Sequence, residues 1–97
     1  MINITISKNG FTCLGHADYA EHGKDIVCSA ISALVQATLL GLNRYHADMD
    51  VEHEEGLTKI EVFRPTTLTT ALLTTLYLGA RSIAQDYKDC VTIRGRM

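Results

Sequence analysis

The stretch GHADYAEHGKDIVCSAIS, residues 15–32, places two histidines, His16 and His22, ahead of Cys28. A thiolate is a nucleophile, and imidazole changes charge near neutral pH. A cysteine and a histidine that meet can therefore run acyl transfer, the imidazole taking the thiol proton and later giving it to the leaving amine. Zinc is a second reading. His16, His22 and Cys28 are all ligand types, but their spacing matches no common structural pattern and no fourth ligand is evident. Packing is the third. A cysteine early in a helix is most often a small buried hydrophobe.

Position suits the first reading. Asp25 is a good N-cap, which makes Cys28 the third helical residue. There the unpaired N–H groups and the positive end of the helix dipole stabilise a thiolate. The same N–H groups suit an oxyanion on a substrate carbonyl. His16 closes a strand twelve residues earlier. In a β-loop-α unit, that strand end and the next helix start lie at one edge of the sheet. Asp25 is most simply a cap; orienting the imidazole is its alternative role. His22 sits in a polar loop and reads as solvated. Cys13 should face inward and be inert, and no role follows for Cys90. His46 and His53 flank a hairpin strand and should be exposed, and Glu52-His53-Glu54-Glu55 reads as a charged hairpin tip.

The elements that must position these residues follow from periodicity. Ile2, Ile4 and Ile6 alternate with polar residues, a half-buried strand over 2–7. Lys8-Asn9-Gly10 makes a hairpin turn, since Asn and Gly accept positive φ. A second strand, roughly 11–16, puts Phe11, Cys13 and Gly15 on one face. Residues 17–24 form a loop with Gly23 in it. A helix over about 26–42 carries Val27, Ala30, Ile31, Leu34, Ala37, Thr38 and Gly41 as its core stripe. MDVEH and LTKIEVF form a second hairpin around Glu55-Gly56. Pro65 ends it, and Thr66 or Thr67 caps a second helix over about 67–86, with Leu68, Leu72, Leu76, Gly79 and Ile83 as its stripe. A last strand spans about 90–95. The order β-β-α-β-β-α-β predicts an α+β two-layer sandwich, with two helices on one face of a mainly antiparallel sheet.

The totals bound the rest. The 97 residues, 46% apolar, suit one domain over 1–97. A net charge of −2 and 6% aromatic residues argue against a nucleic-acid binder that works by bulk charge or base stacking. No run of about 18 uninterrupted apolar residues suggests a membrane span, and no secretory signal is visible. The cytoplasm is the expected compartment, where three cysteines without a C-x-x-C pair read as reduced thiols. No cofactor or metal is expected.

The stretch resembles the signature of the ribosomal-processing cysteine protease family, Prp. Gly15, His16 and Ala17 match its Gly-His-Ala. After a short loop, Gly23, Asp25, Ile26, Val27 and Cys28 match Gly-x-Asp-Ile-Val-Cys, with Ser32 in the apolar helix behind. Length and element order fit over essentially the whole chain. The resemblance implies a small bacterial cytoplasmic protease, a homodimer, with nucleophile Cys28 and histidine His16. It implies that the substrate is the precursor of a large-subunit ribosomal protein, the twenty-seventh of the bacterial series, whose short N-terminal extension is removed. The loop 17–24, with Gly15 and Gly23 at its ends, is then expected to close over an extended substrate segment. The second helix and exposed hairpin are expected to supply the dimer surface. Three rivals stand beside this: a non-catalytic ribosome-associated binding module, another cysteine-acyl enzyme such as a thioesterase, and a metal-binding regulator.

Overall fold

The computed structural model describes residues 1–15 and 25–97. Its elements run β1 (Ile2–Ser7), β2 (Gly10–Leu14), α1 (Asp25–Arg44), β3 (Met49–Glu54), β4 (Leu57–Val62), α2 (Thr67–Asp86) and β5 (Val91–Arg96). The sheet order is β3-β4-β2-β1-β5. β1 and β5 pair parallel, and every other pair is antiparallel. This is the expected α+β architecture, with the crossover through α2 returning the chain to the edge beside β1.

The isoleucine alternation does what period-two patterning requires. Ile2, Ile4 and Ile6 are buried between the sheet and the helices, with Phe11, Ile60, Val62 and Val91 beside them. α1 contributes Val27, Ile31, Val35 and Leu42 to the same core, and α2 contributes Leu73, Leu76 and Ala80. The helices meet through small residues. A Cβ added at Gly79 would lie 3.1 Å from Leu34 Cδ1, and one at Gly41 would lie 3.5 Å from Leu72 Cδ2. Each helix seats a leucine over the other's glycine, so both glycines belong to the packed stripes as expected.

Several expectations shift. α1 is described over Asp25–Arg44, so Asp25 is helical and not a flanking cap. Cys28 is the fourth residue of that span. One residue is within the usual latitude of a helix boundary, and it carries weight only because N-cap counting does. β2 stops at Leu14, two residues before the expected end. In α1, Val35 and Leu42 are buried and Ala37 is exposed. In α2 the stripe turns by one residue: Leu68 is 43% exposed, while Thr69 and Leu73 are buried. The cap explains this rotation. Thr66 is the N-cap, its side chain accepts from Thr69 N–H, and Thr69 Oγ1 accepts from Thr66 N–H at 2.8 Å. This reciprocal box satisfies two otherwise orphaned donors and turns Thr69, not Leu68, toward the protein.

α1 is more apolar than a search for unbroken runs suggests. Ile26–Arg44 has a window of mean hydropathy 1.7 and is long and apolar enough to cross a membrane by length and composition. Scattered Ser, Gln, Thr and Gly residues hide this from a search for continuous runs. The buried Val27, Ile31, Val35 and Leu42 make α1 a core helix here.

Candidate active site

The site is built from the end of β2, the start of α1 and the β3–β4 hairpin. Register fixes the floor. Cys13 lies opposite Ile4 on β1 and Thr58 on β4. Thr58 lies opposite His53 on β3. Ile4 and Thr58 are both buried, so His53, Thr58, Cys13 and Ile4 form one cross-strand row on the helix side of the sheet. His53 Nδ1 and Thr58 Oγ1 share a hydrogen bond of 2.8 Å, its direction set by the imidazole tautomer.

A cleft of about 140 Å³ opens over this row, between Cys13, His53 and Thr58 below and Ile31, Ser32 and Gln36 of α1 beside it. Cys28 is half-buried and packs against the core cluster. It precedes Ile31 and Ser32 by three and four residues, so it lies on their side of α1, about 5.4 Å nearer the N-terminus. The nucleophile candidate therefore stands at the N-terminal end of the cleft. The N–H groups that open a helix have no partner within it, and Cys28 lies next to that first turn. A carbonyl carbon held against its sulfur would have its oxygen near these donors.

Gly15 ties the strand end to the hairpin. Its φ is 101°, and its N–H donates to Gly56 O at 2.8 Å. Gly56, at φ 78°, sits in the Glu55-Gly56 turn, so two turns clamp the segment that leads to His16. A side chain at Gly15 would run into the backbone carbonyl of Met1. Gly15 also lines the cleft.

The expected site residues thus separate into two groups. Gly15 lines the cleft, Cys28 lies one turn before Ile31 and Ser32 on α1, and Asp25 is helical three residues before Cys28. His16, His22, Gly23 and the loop 17–24 lie outside the described residues. Among the described residues, no cluster of three or more His, Cys, Asp or Glu side chains is placed to hold a metal.

Two residues were underestimated. His53 is exposed as expected, and it also lines the cleft and shares a hydrogen bond with Thr58. Cys13 faces inward as expected, but into the cleft. Burial pushes its thiol pKa up, and the negative charge of Cys28 pushes it further. Alternation carried the signal for Cys13. His53 carried none, because nothing in the sequence says that β4 joins β2 in the sheet. His46 is exposed as expected, with a left-handed φ of 56°. Cys90 is buried just ahead of β5.

A half-buried thiol near a helix start, one turn from residues that line a cleft over an α+β sheet, fits the class of cysteine proteases. The chain belongs to the family described as Cysteine protease Prp, which matches residues 1–92. Among its relatives, the ribosomal processing cysteine protease Prp of Mycoplasma genitalium is 31% identical over 96 residues, covering 96% of this chain and 94% of its own. The protein of that name from Bacillus subtilis is 28% identical, covering 92% of each chain. The fold matches the crystal structure of the essential ribosomal processing protease Prp from S. aureus with a covalently linked product peptide. That match has a TM-score of 0.87 at 21% identity, over 99% of this chain and 100% of the other. The S. aureus protein with a substrate peptide matches at TM-score 0.81 and 19% identity, again over 99% and 100%.

Proposed function

We propose that this protein removes the N-terminal extension from the precursor of a large-subunit ribosomal protein, the twenty-seventh of the bacterial series. Cys28 attacks the scissile carbonyl, and His16 takes the thiol proton and delivers it to the leaving amine. Water then hydrolyses the acyl-enzyme. Backbone N–H groups at the start of α1 hold the oxyanion, and Asp25 is the candidate to orient the imidazole. The observation that carries the reading is Cys28 on the fourth residue of α1, at the end of a cleft floored by the Cys13–Thr58–His53 row. The names of the relatives and the peptides bound by the S. aureus protein supply the substrate class.

The loop 17–24 closes over the bound segment, and the protein works in the cytoplasm as a homodimer. The helical layer supports the dimer. No Asp, Glu, Lys, Arg or His lies between Asp25 and Arg44 or from Pro65 to Ala80. Only 28% of the apolar window of α1 is buried within one chain, and Leu40 and Leu78 are 67% and 56% exposed. A surface that apolar is unusual on a monomer. It lies on both helices, whereas the hairpin expected to share in it is mostly polar. In sedimentation at micromolar concentration, wild type should run as a dimer and Leu40→Glu as a monomer. A monomeric wild type removes the claim.

Substrate choice is tested with the precursor and a second precursor whose extension is scrambled. One cut at the end of the native extension, with the scrambled one intact, supports the reading. Equal cutting of both would make the protein a general peptidase. Binding without cutting would favour a non-catalytic module.

A further inference from the structure

The mechanism leaves Cys13 without a task, although it lies on the floor of the cleft and within reach of the Cys28 charge. Its place is fixed twice. Register sets it between Ile4 and Thr58 on the helix side of the sheet. The cleft then sets it beside Ile31 and Ser32 of α1, one turn on from Cys28. Both sulfurs pack against one apolar cluster, and both residues are half-buried.

We infer that Cys13 and Cys28 form a reversible disulfide, with Cys13 as the resolving thiol that protects Cys28 from irreversible oxidation by peroxides. This rests on the proposed role of Cys28 only where activity is the readout. In the first step the Cys28 thiolate attacks a peroxide oxygen. The O–O bond breaks, Cys28 becomes a sulfenic acid, and hydroxide leaves. In the second step the Cys13 sulfur attacks the Cys28 sulfur. The S–S bond forms, the S–O bond breaks, and the Cys13 proton leaves with the hydroxyl as water. Two thiols and one peroxide thus give one disulfide and two waters, or water and an alcohol from an alkyl peroxide. A dithiol reverses it by exchange.

The shared neighbourhood of the two sulfurs has an electrostatic sign. The charge of Cys28 helps to hold Cys13 in its neutral form. The division of labour follows from position: Cys28, near the helix start, meets the peroxide, and Cys13, kept protonated chiefly by burial, resolves it. Cys90 stands apart, buried near Tyr87 and β5, its N–H donating to Tyr87 O at 2.9 Å.

The experiment uses the whole reduced protein. It is treated with hydrogen peroxide, blocked with N-ethylmaleimide, run as monomer on a non-reducing gel and digested with trypsin without reductant. Cleavage after Lys8, Lys24 and Arg44 puts Cys13 in the peptide 9–24 and Cys28 in 25–44. The expected product is these two peptides joined, separated by dithiothreitol. Peptidase activity should fall about tenfold or more and return with dithiothreitol. In Cys13→Ala, Cys28 should instead reach the sulfinic acid, and dithiothreitol should restore nothing. The inference is overturned if peptide 9–24 stays fully labelled while Cys28 is sulfinic, or if Cys13→Ala recovers as completely as wild type. Should that variant fail to fold, the wild-type map decides alone. The map needs no catalysis, so a failed protease reading and a failed disulfide are told apart.

Discussion

Gly15→Ala is the substitution that loads the most strain onto the site with the fewest atoms. Two costs are intrinsic. A φ of 101° lies in the region that side chains avoid, at about 1–2 kcal/mol. The new Cβ also meets the Met1 carbonyl, which is backbone and cannot swing aside. Relief by bending costs about 1 kcal/mol for each ~7° of bond angle. A ~7° bend moves the Cβ too little to clear a contact this close, so the segment must shift as well, which loosens the Gly15–Gly56 hydrogen bond, worth about 1 kcal/mol. Together these come to about 3–4 kcal/mol. In a domain of this size that is a fall in Tm of more than about 10 °C. Urea unfolding followed by circular dichroism measures it. D-alanine at position 15, introduced by peptide ligation, is the control. It favours positive φ and points its methyl away from Met1, so it should keep near-wild-type stability. A loss below about 0.5 kcal/mol for the L-alanine variant would refute the argument, as would equal losses for both enantiomers.

Leu73→Ala, at a fully buried position of α2, should cost about 2–5 kcal/mol in urea unfolding, whereas Leu68→Ala should stay within about 1 kcal/mol. The reverse order would restore the stripe read from sequence. Thr66→Ala, which removes half the capping box, should cost about 1 kcal/mol, and an unchanged midpoint would mean the box is idle. Burial, and then the Cys28 charge, raise the Cys13 pKa above the ordinary 9.0. The folded protein keeps a proton that the unfolded chain releases. The stability this gives is complete below pH 9.0 and is lost as pH rises through the higher folded value. Urea midpoints should therefore fall above pH 9 more steeply in wild type than in Cys13→Ser, and parallel curves would contradict the shift.

Period-two and helical patterning made the elements legible because burial acts on each of them locally. The Ile2-Ile4-Ile6 alternation, the Asn9-Gly10 and Glu55-Gly56 turns and the Pro65-Thr66 helix start all correspond to observed boundaries. The rotation of the α2 stripe was hidden because threonine reads as polar by composition, yet here Thr69 spends its hydroxyl on the cap and is buried. Strand order was hidden for a different reason. Pairing β4 with β2 joins segments far apart in sequence, and no local pattern reports it. That pairing carries His53 to the cleft and gives Cys13 its floor position beneath α1. Cys28 was visible as a candidate because a helix start is a local property. Its relation to Cys13 was not, since it arises only when α1 is laid across the sheet.

The most direct test of the central claim is mass spectrometry of the ribosomal-protein precursor after incubation with the protein, beside Cys28→Ala and His16→Ala, with all three shown to be folded and reduced. The account expects a single cut that releases the N-terminal extension with wild type, no cut with Cys28→Ala, and a much slower cut with His16→Ala. Cutting that persists in Cys28→Ala, or an intact precursor after incubation with the wild-type protein, would contradict it.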